Sequence, residues 1–317
     1  MNGMKPAGVI KRSEKIRVSM DINKIKAGVL EVAYLEYGSP DGWPCILMHG
    51  FPYDVHAYTK SAIVLQAQGA RVIIPYMRGY GPTRFLSTNV MRSGEQAAFG
   101  ADLLTFMDAL NIQCAVLGGY DWGGRAACIV SALRPERVTA LVSGNSYNIQ
   151  NISRSDEPAD PKSEAAYWYQ YYFHSERGRK GLEKNRRAVA NLLWSMWSPD
   201  WNFTLEEFEQ TAKSFDNPDF VEVVIHSYRH RYGLVAGDPQ FSDIEQKLAL
   251  QPKISVPTIC IDGTSDGVSG STQSHSTKFC GPYEYRQFET AGHNLPQEKP
   301  NDWAKAIIDA KHLADNR

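Results

Sequence analysis

Short apolar runs alternate with amphipathic stretches along the first 147 residues. Residues 28–38 alternate as a half-exposed strand does, and 44–48 (PCILM) form a brief apolar run ending at His49-Gly50. A helix is expected over 58–69 and a buried strand over 71–75 (RVIIP). Residues 94–110 have helical spacing, 115–120 (AVLGGY) read as a strand, and the helix that follows ends near Arg134-Pro135. Another strand covers 138–143 (VTALVS). Strands of this kind interleaved with helices predict an α/β architecture, a mostly parallel sheet covered on both faces.

The rhythm stops at about residue 148. From there to about 250 the chain is rich in aromatic and charged residues, with helical spacing and no clear strand. It resumes at 257–262 (PTICID) and 283–289 (YEYRQFE) and closes with a helix over 301–314. The expected organisation is a core over 1–147, a helical lid (cap) over 148–250 and the rest of the core over 251–317. The polar stretch 151–164 reads as a mobile connector into the lid.

Composition narrows the classes of function. The chain has 317 residues and a formal net charge of −1, with no polybasic run, so nucleic acid and anionic membranes are not expected partners. Residues 1–20 lack the apolar core of a signal peptide, and no stretch approaches the roughly 18 apolar residues of a membrane span. A soluble, cytoplasmic protein is expected, as a monomer or homodimer. The five cysteines are odd in number and form no CxxC pair, which argues against a zinc site or disulfide framework. No metal or organic cofactor is expected.

The most informative segment is Gly118-Gly119-Tyr120-Asp121-Trp122-Gly123-Gly124. It follows a strand, opens a helix and flanks one reactive side chain with small residues, the pattern of a nucleophile elbow. The residue at its apex is Asp121 where serine is more familiar; the alternative is an aspartate that only caps the helix. Gly263-Thr264-Ser265-Asp266-Gly267 also fits G-x-S-x-G, but lies too late in the chain to be followed by an acid and a histidine in the required order. In an elbow fold, the loop after the 44–48 strand and the residue after the nucleophile supply the oxyanion amides, here Phe51 and Trp122. His49 reads as a structural hydrogen-bonder. His293, in the late Ala-Gly-His-Asn loop, suits a general base, and Asp266 suits its orienting acid, with Asp262 as the rival.

An aspartate is ionised near neutral pH and attacks without a base. Histidine is then free to activate the water that hydrolyses the resulting ester. Such chemistry suits an epoxide or a carbon–halogen bond. An epoxide needs a proton donor for its oxygen, and the lid offers Tyr169 and Tyr228.

Together HGFP at 49–52, RGYG at 78–81, Asp-Trp-Gly-Gly at 121–124 and Gly-His at 292–293 resemble the soluble epoxide hydrolases of the α/β-hydrolase superfamily, over roughly 25 to 315. The resemblance implies an α/β-hydrolase fold, Asp121 as nucleophile, and ring-opening tyrosines at 169 and 228. Two positions depart from it: Tyr120 stands where histidine is usual, and Pro82-Thr83 where an acidic-serine pair is usual. Haloalkane dehalogenases share the Asp-Trp step, but Phe51 carries no halide donor. Haloacetate dehalogenases hold a substrate carboxylate with arginines after the nucleophile. This chain has Arg125 at the fourth place but Trp122 at the first, and Gln170-Tyr171 where those enzymes have a His-Trp pair. Substrate contacts are therefore expected from Trp122, Tyr169, Tyr228 and Arg125. The leading expectation is an epoxide hydrolase yielding a vicinal diol. The alternatives are a dehalogenase acting on an organohalide, another hydrolase of this fold, or a non-catalytic receptor.

Overall fold

A computed structural model describes residues 21–315. The expectation about a leader segment at 1–20 lies outside the described residues. The chain runs β1 (Asn23–Ala27), β2 (Leu30–Tyr37), β3 (Trp43–Met48), α1 (Thr59–Ala67), β4 (Ala70–Pro75), β5 (Arg84–Phe85), α2 (Gln96–Ala109), β6 (Ala115–Gly119), α3 (Asp121–Leu133) and β7 (Val138–Gly144). Six helices follow: α4 (Pro161–Ala166), α5 (Trp168–His174), α6 (Glu176–Trp197), α7 (Leu205–Ala212), α8 (Phe220–His230) and α9 (Ser242–Ala249). The chain ends with β8 (Thr258–Gly263), β9 (Tyr283–Phe288), α10 (Leu295–Glu298) and α11 (Pro300–Asp315).

The strands form one sheet ordered β1-β2-β4-β3-β6-β7-β8-β9, with β5 paired to β2. From β4 to β9 every pairing is parallel; β1 and β2 join antiparallel at one edge. The central β6 is buried at every position, as its continuous apolar run requires of a strand covered on both faces. Helices α2 and α3 pack together, and so do α1 and α11; α3 and α11 both reach the central strands.

The expectation of a half-exposed strand at 28–38 fails: six of eight residues of β2 are buried. Tyr34 packs against Phe106 of α2 with ring centroids 5.3 Å apart, and α1 also reaches this strand. Helices thus cover a strand that Glu31 and Glu36, one on each face, suggested was half wet. The edge strand β1 was not legible, because it is short, largely exposed and paired only with β2.

Strands β7 and β8 pair directly, with Leu141 opposite Thr258. The chain between them is therefore an excursion from one sheet, and among the described residues it contains no named strand. Several bonds fasten it to the sheet loops. Trp194 Nε1 donates to Pro52 O at 2.9 Å, and Thr211 and Ser214 donate to the buried Asp54 carboxylate. Asn217 donates to Gly81 O and Thr83 O. Thr83, one of the departures from the resemblance, itself ties Tyr76 O to the Ala33 amide. Cys45, Cys128 and Cys260 are buried, and all five cysteines are free. No helix among the described residues is long and apolar enough to cross a membrane.

Candidate active site

Asp121 is the first residue of α3 and has φ = 50°, a left-handed conformation that a non-glycine side chain adopts at a cost. The bend points the carboxylate back over the end of β3. There Gly50 leaves room for it: a Cβ on Gly50 would sit 2.5 Å from Asp121 Cβ and Oδ1. Gly123 likewise lets α3 touch the carbonyls of Met48 and His49.

The backbone N–H of Phe51 donates to Asp121 Oδ1 at 2.7 Å. Burial alone would raise the Asp121 pKa, but His293 and the amides of Phe51 and Trp122 outweigh it and hold the carboxyl below its usual range. The two expected oxyanion amides thus face the Asp121 carboxylate itself. His49 is buried, and burial pushes its pKa down to about 4. It accepts from the Met77 amide at Nε2 and contacts Gly50 O through Nδ1, so it shapes the loop as a neutral ring.

His293 Nδ1 lies 2.8 Å from Asp266 Oδ2, while Nε2 lies 3.8 Å from Asp121 Oδ2 and has no hydrogen-bond partner. Burial lowers the pKa of His293, yet the charge of Asp266 and the contacts with both carboxylates prevail and raise it to about 10. Asp266 also accepts from Asn145 Nδ2 and from the amides of Val268 and Ser269, which fixes its orientation. The rival Asp262 is engaged elsewhere, by Thr272 and Tyr285. Ser265, in the late G-x-S-x-G match, donates to Asp200.

Two supports of this arrangement were not anticipated. Asn145, with φ = 58°, follows β7 and reaches Asp266 in the loop after the neighbouring β8. Glu298 accepts from the amides of Gly292 and Asn294 and from Ser198 Oγ, pinning the histidine loop to the end of α6. Trp197 O accepts from His293 N at 3.1 Å and from Gly267 N at 3.0 Å, so the excursion holds both the His293 loop and the Asp266 loop. An asparagine just past a strand was the available signal for Asn145; the pairing of distant segments left none for Glu298. Tyr120 donates to Asn294 Oδ1 at 2.8 Å, which ties the elbow to the histidine loop.

A cavity of about 570 Å³ opens above these groups, lined by Asp121, His293, Arg125, Tyr169, Gln170 and Arg231 among others. Tyr169 is buried, and its oxygen accepts from Gln170 Nε2 at 3.0 Å, leaving its own hydrogen available. The Tyr228 ring centroid is 5.3 Å from that of Tyr169, and its hydroxyl is buried without a partner. Arg231 lies over the Tyr228 ring at 4.5 Å. Burial raises the pKa of both phenols, so both remain protonated donors. Arg125 faces the cavity. Trp122 contributes its backbone; its indole is packed against Phe51 and Phe99, with Nε1 unpartnered. Among the described residues, Glu95, His230 and Glu245 could approach a metal ion together. Both carboxylates already accept hydrogen bonds, from Ser93 and Asp238 and from Gln96 and Ala97.

A family model described as alpha/beta hydrolase fold matches residues 44–300. A Klebsiella pneumoniae crystal structure, described as a candidate epoxide hydrolase, superposes with a TM-score of 0.91 at 44% identity, covering 92% of this chain and 97% of that one. Epoxide hydrolase A of Mycobacterium tuberculosis is 23% identical over 92% of this chain and 95% of its own length. A haloalkane dehalogenase of Mycolicibacterium paratuberculosis is 27% identical over 44% of this chain and 46% of its own. The chain belongs to the alpha/beta hydrolase fold family, among its epoxide hydrolase-like members.

Proposed function

We propose that the chain hydrolyses an epoxide to a vicinal diol through a covalent ester on Asp121, with the excursion over 148–250 acting as the cap that roofs the site. One observation carries this reading most: Asp121 Oδ1 already rests against the Phe51 amide while Oδ2 faces His293. Oδ2 is the attacking atom and opens the ring at carbon. Tyr169 and Tyr228 donate to the epoxide oxygen as it takes up charge. The ester carbonyl then lies in the amide pocket, poised for the tetrahedral intermediate.

Ester formation removes the negative charge of Asp121, one of the influences that hold the proton on His293. The imidazole can then pass that proton to the tyrosinate left by ring opening and accept one from water, which attacks the ester carbonyl carbon. Collapse of the intermediate expels the alcohol and regenerates the carboxylate. The two hydrogens of the consumed water complete the second hydroxyl and return the proton to His293. Asp266 keeps the ring in the required tautomer throughout.

The dehalogenase reading draws on the indole N–H groups of Trp122 and Trp197, both buried without a partner. The two phenols favour the epoxide, since a departing halide needs no proton. A panel of aryl and alkyl epoxides beside haloalkanes and haloacids, scored for diol and free halide, tests the assignment. Diol without halide is expected; halide release unaffected by Tyr169→Phe would replace it.

A further inference from the structure

Two arginines in the cavity wall have no carboxylate to answer them. Arg125 stands one helical turn after Asp121 on α3, so both side chains leave the same helix face, with Cβ atoms roughly 5–6 Å apart. Arg231 follows α8 directly and is nine-tenths buried. Both line the cavity that holds Asp121 and His293. Among the described residues, neither forms a salt bridge. Arg125 Nη1 meets only the Gln150 side-chain oxygen, and Arg231 Nη1 only that of Gln170, each at a long 3.4 Å. The Nε of each is buried without a partner. Arg78 shows how the fold treats a buried guanidinium elsewhere: it grips Asp102 with two bonds of 2.7 Å.

A buried guanidinium lacking its partner is costly, and two that repel each other are more so. Burial, and then Arg231, lower the pKa of Arg125 to about 10. Glu245, which feels the charge of Arg125, is bonded to Gln96 and Ala97. Asp160, at the cavity rim, is exposed and caps α4. His293 is paired with Asp266 and Asp160 stays in solvent at the rim, so within the buried wall the two arginines outnumber the Asp121 carboxylate by one positive charge. That balance suits one monoanion, and the guanidinium fork suits a carboxylate.

We infer that Arg125 and Arg231 form a carboxylate-binding subsite, and that the substrates are epoxides bearing a carboxylate a few bonds from the ring. The epoxide half of this inference rests on the proposed function; the carboxylate subsite does not. Arg231 also links the subsite to the ring-opening donors, through Gln170 to Tyr169 and directly over the Tyr228 ring.

Isothermal titration of the wild-type chain with benzoate and butyrate, each beside its neutral amide, tests the subsite without any turnover. Each acid should bind at least about tenfold tighter than its amide, worth roughly 1.4 kcal/mol. Arg125→Gln and Arg231→Gln should each erase most of that preference. Arg231→Lys, which keeps the charge and loses the fork, should retain part of it and guards against a variant that fails only by misfolding. Equal binding of acid and amide overturns the inference, as does a preference that survives in both glutamine variants. Acid-selective binding in a chain that opens no epoxide would sink the proposed function and leave the subsite standing.

Discussion

His293 Nε2 stands 3.8 Å from Asp121 Oδ2, beyond hydrogen-bond length, while its Nδ1 is held at 2.8 Å by Asp266. The ring is thus anchored on one side and open on the other. The open side faces Asp121 Oδ2, the proposed attacking atom.

Asp266→Asn should slow hydrolysis of the ester far more than its formation. The substitution removes the main charge that raises the His293 pKa and disturbs the tautomer. Pre-steady-state kinetics should show the first step nearly intact and the second rate-limiting. Asn145→Ala should do the same more weakly, because three of the contacts on Asp266 remain.

Replacing both Tyr169 and Tyr228 by phenylalanine should cost roughly 10²–10⁴-fold in ring opening, the range of general acid catalysis. Each single replacement should cost less, since the other phenol remains. Single-turnover formation of the covalent intermediate is the measurement. The same step on an activated alkyl halide should be far less affected.

Stability should fall as pH rises through the alkaline range. The pKa of His293 is raised from 6.5 to about 10 in the fold, so its charged contacts contribute fully below about pH 6.5 and are lost as pH climbs through 10. Thermal melting between pH 7 and 10 should show a decline in the wild type that is shallower in His293→Gln.

Gly50→Ala should disable the nucleophile without removing it. The added methyl would collide with the Asp121 carboxylate and force the loop or the elbow to move. A destabilisation of about 1–3 kcal/mol is expected, with a larger loss of activity. Denaturant unfolding and initial rates measure the two effects separately.

Much of this was legible in the chain because strand–turn–helix chemistry is local. Gly119, Asp121 and Gly123 mark the elbow within five residues, and the apolar runs around them read directly as strands. Local reading failed where a distant partner decides the outcome. The strand at 30–37 looked half wet because nothing in its own alternation reveals the helices over it. Arg231 follows α8 with no motif of its own, and its place beside Arg125 exists only once the excursion folds back over the sheet. Glu298 and Ser198 are separated by 100 residues in sequence and meet at a single hydrogen bond.

The account depends most on a bond between substrate carbon and Asp121. Intact-mass spectrometry of His293→Gln after brief exposure to an epoxide should show the protein mass increased by the whole epoxide, with the label mapping to the peptide containing Asp121. The Asp121→Asn protein should show no such adduct. A His293→Gln protein that turns over with no adduct, or an adduct persisting in Asp121→Asn, would contradict it.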